Sequence, residues 1–244
     1  MRIGTRRGKV SAVITAGIGA WLLGVVPIGA QAAGAKGQAG AHLLVVAPQG
    51  EFADNLDDPG VGLSAFALGR LPQSPIYLGA EIGFIVYGST ERKEPFNENI
   101  PEVNVKVKTD NNLVAAGLLV RLQPPEGAIR PYLDGLLGLN YLYTRSSVNG
   151  NDDDEEISST TNQDDTALAY GGGGGLLVRV YSGHDAEKGV RGVFLDGRVR
   201  YVVGGEAEYL KEGSIRREGG RLIFDKLHSQ TDVLQIGLGA TIEF

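Results

Sequence analysis

From Thr231 to Phe244 the sequence sorts onto two faces, with Leu234, Ile236, Leu238, Ala240, Ile242 and Phe244 on one and Gln235, Gly237, Gly239, Thr241 and Glu243 on the other. A period of two belongs to an extended strand and to no helix. The apolar face continues unbroken to a terminal aromatic, where the ends of water-soluble domains usually fray. A strand that spans a membrane as part of a barrel needs this pattern, because hydrocarbon lies on its outside and a polar or small-residue lumen on its inside.

The start of the chain fits the same destination. Arg2, Arg6, Arg7 and Lys9 precede an apolar stretch from Val10 to Ile28, and Ala30-Gln31-Ala32 supplies a small-residue cleavage site. Residues 1–32 therefore read as a cleaved secretory signal and 33–244 as one barrel domain, with no cell-wall-binding domain expected after it. Removing four cations and no acids takes the net charge from −6 to −10, so the mature chain is acidic and a nucleic-acid partner is not expected. The sequence has no cysteine, which excludes a disulfide framework, and its 37 glycines disfavour a helical fold.

Eight runs alternate in the same way, near His42 to Ala53, Pro59 to Leu71, Ile76 to Gly88, Val107 to Leu122, Ile129 to Thr144, Thr166 to Tyr181, Arg191 to Gly204 and Thr231 to Phe244. Each reaches the ~9–11 residues that a tilted strand needs to cross a bilayer. The connections after runs two, four and six are short (72–75, 123–128 and 182–190). Those at 89–106, 145–165 and 205–230 are long and charged, while 54–58 is brief. Short turns at one end and long loops at the other predict an all-β, eight-stranded, up-and-down antiparallel barrel with both termini at the turn end.

Energy decides which face is outside. Arg198 at a bilayer midplane would cost ~2–4 kcal/mol, so Asp196, Arg198 and Arg200 go inward and Leu195, Val199, Tyr201 and Val203 outward. The same test sends Glu81, Arg121, Arg130, Asp134 and Arg179 into the lumen, together with Tyr132 and Asn140. Runs one and two carry apolar residues on both parities across Leu43 to Val46 and Val61 to Leu68, and their faces stay unassigned.

The signal-like start, the glycine-rich alternating strands, Arg130-Pro131-Tyr132 opening a strand and the ending Ile242-Glu243-Phe244 together resemble the outer membrane β-barrel domain family, the small OmpA/OmpX-like barrels. The resemblance covers essentially the whole mature chain. It implies a place in the bacterial outer membrane, contact with its lipid and lipopolysaccharide, and a barrel-insertion signal carried by Ile236, Leu238, Ala240, Ile242 and Phe244, which the insertion machinery would read.

The inward ionisable groups Glu81, Arg121, Arg130, Asp134, Arg179, Asp196, Arg198 and Arg200 are expected to neutralise one another in a filled lumen. Counted from the turns, Glu81, Asp134 and Asp196 fall at similar heights, with Arg121 and Arg179 between them. The five glycines Gly171 to Gly175 leave room for long inward neighbours; as a phosphate cradle they lack the lysine and hydroxyl that such a loop needs. The acids Asp152, Asp153, Asp154, Glu155, Glu156, Asp164 and Asp165 do not follow a calcium-loop spacing and read as a solvated loop. His42, His184 and His228 have no metal-ligand spacing. No metal, cofactor or catalytic residue is therefore expected. A hairpin turning at Gly219-Gly220, with Tyr209, Leu210, Ile215, Leu222, Ile223 and Phe224 around it, would extend runs seven and eight. It and the loop 145–165 are the expected surfaces for a partner.

A structural or surface-interaction protein is the reading these features favour. A lipid-modifying hydrolase would use His228 and Ser229, with Glu206 or Asp232 orienting the histidine. A small transporter of apolar molecules would require an apolar lumen near the loop end, against which the inward charges speak. A soluble lipocalin-like barrel would invert every face.

Overall fold

The computed structural model describes residues 37–55, 59–97, 100–149, 156–183, 189–218 and 221–244, and the signal assigned to 1–32 lies outside them. Eight strands close into one antiparallel barrel: β1 (Gly37–Pro48), β2 (Gly60–Arg70), β3 (Ile76–Asn97), β4 (Ile100–Leu122), β5 (Ile129–Asn149), β6 (Glu156–Ser182), β7 (Gly192–Gly204) and β10 (Val233–Glu243). β1 pairs with β10 to shut the circle, so no edge strand is left in the wall. Between β7 and β10 the chain makes a separate two-stranded sheet, β8 (Glu206–Glu218) and β9 (Arg221–Gln230), which lies beside β6. One short helix, α1 (Glu51–Asn55), sits between β1 and β2.

Three boundaries differ from the sequence reading. The first strand runs from Gly37 to Pro48 rather than from His42 to Ala53, because Pro48 has no N–H to continue a ladder and Gly50, at φ 56°, turns the chain into α1. Much of what reads as loop at 89–106 and 145–165 is strand, with β3 to β6 carrying their ladder past the barrel through pairs such as Thr90 with Thr109 and Thr144 with Gln163. Backbone pairing needs no apolar face, so these polar extensions give no hydrophobic signal. Finally, runs seven and eight do not extend into the hairpin. The ladder breaks where Gly205 N–H turns to the Leu168 carbonyl (2.7 Å) and resumes after the Thr231 hydroxyl donates to the Gly205 carbonyl (3.1 Å). The hairpin closes between Glu218 and Arg221, and Gly219 and Gly220 lie outside the described residues.

At the other end the connections are tight. In the turn from β2 to β3, Gln73 takes φ 52°, Ser74 N–H donates to the Leu71 carbonyl (3.3 Å), and Arg70 Nε donates to the Ser74 carbonyl (2.8 Å). These ties stabilise a left-handed residue that is not glycine.

The stagger of the barrel follows from its register. Stepping between cross-strand partners from Arg70 to Tyr77, Arg121, Asp134, Gly173, Arg200, Gln235 and Val46 returns to β2 at Gly60, ten residues from the start (70 − 60 = 10). With ~3.3 Å per residue and ~4.8 Å between eight strands, that stagger corresponds to a tilt of about 40°.

Outward side chains form a continuous apolar coat. Leu43, Ile82, Leu118, Leu133, Leu195 and Leu238 are all exposed on it, and Leu137 is 54% exposed. From Leu133 to Tyr143 is ten residues, or about 25 Å along the axis at that tilt, which matches the apolar band of a membrane barrel. The loop-end border of the coat carries Tyr141, stacked on Tyr143 at 5.6 Å, and Tyr201, whose hydroxyl donates to Asp232 (2.9 Å). Amphipathic rings at such a border suit a membrane interface. The faces left open by the sequence are settled here: Leu43, Val45, Val61 and Leu63 point out, and Leu44, Val46, Phe66 and Leu68 point in. With leucines outside and arginines inside, the inverted, lipocalin-like arrangement is excluded.

Candidate functional site

The lumen is layered. Its middle holds three carboxylates, Glu81, Asp134 and Asp196, and three guanidiniums, Arg121, Arg198 and Arg200, all on strands whose inward parity is fixed by the leucines facing out. Glu81 receives Arg198 through two contacts (2.6 and 2.7 Å) and Arg200 through two more (2.9 and 3.3 Å). Asp134 receives Arg121 Nε (2.8 Å), Arg121 Nη2 (3.1 Å) and Arg200 Nη2 (3.1 Å). Charge therefore balances three against three, as burial requires, and Arg200 bridges two carboxylates.

Asp196 is tied mainly by neutral groups. It is 0% exposed and accepts hydrogen bonds from the Tyr132 hydroxyl (2.6 Å) and the Thr241 hydroxyl (2.8 Å). His42 Nε2 lies 3.1 Å away and Arg121 Nη1 3.9 Å away. Arg121 itself lies over the rings of Phe66 (4.8 Å) and Tyr132 (3.8 Å), and His42 stacks on Phe66 at 5.5 Å. Two rings against a guanidinium hold it in position without adding charge.

Two of the eight expected members sit elsewhere. Arg130 pairs with Glu243 at the turn end, where Gln38 also reaches Glu243 (3.4 Å). Arg179 donates to the Gly127 carbonyl (2.9 Å), an acceptor it shares with Arg130 Nε (3.0 Å), and both guanidiniums lie over the Phe194 ring. The reason is the stagger. Asp134 pairs with Gly173, and Gly173 with Arg200, so Arg200 is in register with Asp134 while Arg179 lies six residues along β6 from Gly173, about 15 Å along the axis, towards the turns.

Charge does not fill the lumen. Below the ionic layer, towards the turns, pack Phe66, Leu68, Tyr77 and Leu119, and beside them Tyr132, Leu177 and Phe194. Above it, at the loop end, an apolar cluster of Leu44, Val46, Ile85, Leu113, Leu142, Val202 and Val233 surrounds Phe52 of α1. The expectation that inward charges disfavour an apolar lumen near that mouth is thus corrected.

The glycine run allows close approach. A side chain at Gly175 would run into the Tyr132 ring, and one at Gly173 into the backbone and Cβ of Arg200. We expect Gly175→Val to displace Tyr132 from Asp196 and to cost ~1–3 kcal/mol, measured as a lower urea midpoint for the barrel refolded in vesicles.

The described side chains among the other candidate residues have these partners. Asp232 accepts from Tyr201 and from Gly204 N–H (3.1 Å), Ser229 donates to the neighbouring Gln230 carbonyl (3.1 Å), and Glu206 is exposed. The side chain of His228 and the residues His184, Asp152, Asp153, Asp154 and Glu155 lie outside what is described, as do the side chains of Glu156, Tyr209, Leu210, Ile215, Leu222, Ile223 and Phe224. Asp164 accepts from the Tyr141 hydroxyl (3.3 Å), and Asp165 accepts from Thr166 N–H (2.8 Å). Among the described residues no three His, Cys, Asp or Glu are placed to hold a metal. The sequence reading missed His42, Thr241 and Glu243 as partners of the buried charges. Parity already put Glu243 and Thr241 inside, so the signal was present for those two, whereas His42 sits in the run whose faces were ambiguous.

Comparison with known proteins fits this architecture. No family model and no curated protein matches the chain. Among solved structures it is similar to a major outer membrane protein from Thermus thermophilus, with a TM-score of 0.50 and 13% identity over 86% of this chain and 100% of that one. Neisserial surface protein A (NspA) aligns at 15% identity and TM-score 0.33, covering 86% and 95% of the two chains. The N-terminal β-barrel domain of Pseudomonas aeruginosa OprF aligns at 12% and 0.35, covering 85% and 97%. At these identities the likeness to the Thermus protein shows the fold, a closed eight-stranded antiparallel barrel of the outer-membrane type.

Proposed function

We propose that this chain is an integral protein of the bacterial outer membrane, a barrel closed by its own interior, with a structural or surface-interaction role and no catalysis. One observation carries the reading: the side chains exposed on the barrel wall are leucine, isoleucine and valine over a band of membrane height, while six charges are buried and paired within. Such a coat in water would be an extreme aggregation surface; in hydrocarbon it has no cost. The ionic layer has apolar packing on both sides, which supports a plug rather than a path for ions. Lipid and lipopolysaccharide would then be its surroundings, with the final strand as the feature read during insertion.

The loop end offers the surfaces for a partner. β3 to β6 rise beyond the barrel, and the β8–β9 hairpin stands beside them as a two-stranded sheet, whose outer edges suit strand addition by a partner segment. The hydrolase reading is less supported, because the Asp232 carboxylate is engaged by Tyr201 and Gly204.

Unboiled protein in a denaturing gel is expected to run at a different position from boiled protein, since a closed barrel resists detergent until heated. Extraction from cells should require detergent. Identical gel mobility together with release into buffer would overturn the proposal.

A further inference from the structure

We propose that the loop end of the lumen is a binding cup for a small uncharged molecule with a ring-sized apolar body and one hydroxyl group, and that Phe52 holds the cup shut. This goes beyond the structural role above and does not depend on the identity of any surface partner.

The plug and the cup are separate pieces of the fold. Phe52 belongs to α1, not to the wall, and is 1% exposed while its neighbours Glu51, Ala53 and Asp54 face solvent. Its ring packs against Tyr87 at 5.7 Å within the cluster that includes Val46, Leu113, Leu142 and Val233. The helix is a single turn: Ala53 and Asp54 N–H bond back to the Gly50 carbonyl (3.0 and 3.3 Å), and Gly50 at φ 56° makes the bend that aims α1 at the mouth. Among the described residues, an apolar ring from a short element joined through glycine thus covers the loop end of the lumen.

Beneath the plug the packing is incomplete. A cavity of about 20 Å³ shares Leu44, Ile85, Ala169 and Val202 with the Phe52 cluster and is floored by Ser64, Glu81, Asn140 and Gln235. Gly83, Gly117 and Gly138 form part of its wall. Gln235, 6% exposed, lines it, and its Oε1 has no hydrogen-bond partner among the described residues. A buried acceptor without a donor is costly, and a cavity of this size admits about one water or one hydroxyl.

These two observations define the ligand. Its body replaces the ring of Phe52, so it is apolar and of ring size; its hydroxyl reaches past that position to donate to Gln235. A net charge is excluded, because the ionic layer below already balances three against three and would leave it unpaired. The same layer stops the molecule from crossing to the turn end. The chemistry is that of a phenol or an aromatic alcohol.

The test uses the protein in lipid nanodiscs, with empty nanodiscs subtracted, titrated with p-cresol and separately with toluene. Saturable p-cresol binding is expected, with faster hydrogen exchange at 49–55 as Phe52 is displaced. Removing the competing ring should tighten p-cresol binding ~10-fold in Phe52→Ala, and in the gentler Phe52→Leu by a smaller factor, because the closed state no longer has to be opened. Gln235→Leu should erase the preference for p-cresol over toluene. Absence of saturable binding to the wild-type protein, binding with unchanged exchange at 49–55, or equal affinities in the wild type and a folded Phe52→Leu would each overturn the proposal and leave Phe52 a structural cork.

Discussion

Asp196→Ala is expected to lower the stability of the barrel by ~3–5 kcal/mol, among the largest effects a single truncation can have, because it leaves a buried positive charge in excess. With Asp196 gone, Arg121, Arg198 and Arg200 face only Glu81 and Asp134, and Tyr132, Thr241 and His42 lose their shared partner. The measurement is a urea titration of the refolded protein in vesicles, with the unheated gel band as a second readout. Asp196→Asn keeps acceptor and shape while losing the charge, and should fall between the two. No new conductance in planar bilayers is expected from either variant, since the apolar layers above and below remain in place. A stable Asp196→Ala barrel with large conductance would show that the layer is a gate instead of a brace.

Leu137→Arg tests the other side of the wall. Leu137 sits midway along the outward row of β5, between Leu133 and Tyr141, with its side chain on the apolar coat. Arginine there should cost ~2–4 kcal/mol when the barrel is in a bilayer, whereas a solvent-exposed site would register within ~0.5 kcal/mol. Comparing Leu137→Arg with Leu71→Arg, in the turn between β2 and β3, gives the depth dependence. Equal costs at both sites would argue that no hydrocarbon surrounds the barrel.

How much of this was legible in the sequence depended on local contrast. In β3 to β7 the charged residues of the lumen keep to one parity while leucine, isoleucine and valine dominate the other, so the test made on Arg198 oriented these strands. In β1 and β2 that contrast vanishes, because the lumen itself is apolar where Leu44, Val46, Phe66 and Leu68 point into it. The rising parts of β3 to β6 were invisible for a related reason: with polar residues on both faces, a strand and a loop look alike. Register hid the rest. Which arginine stands in register with Asp134 depends on how β6 pairs with both of its neighbours, and the β5–β6 pairing is set across a long loop whose polar ladder gave no signal.

That dependence on distant pairing extends to how the molecule is assembled. Asp196 on β7 is approached by Thr241 from β10 and by His42 from β1, the two strands whose pairing seals the wall. A chain still waiting for its last segment leaves this acid with Tyr132 and the more distant Arg121 alone, two of its four neighbours. The interior therefore proofreads the circumference: the set of contacts around this carboxylate is complete only when the first and final segments have found each other.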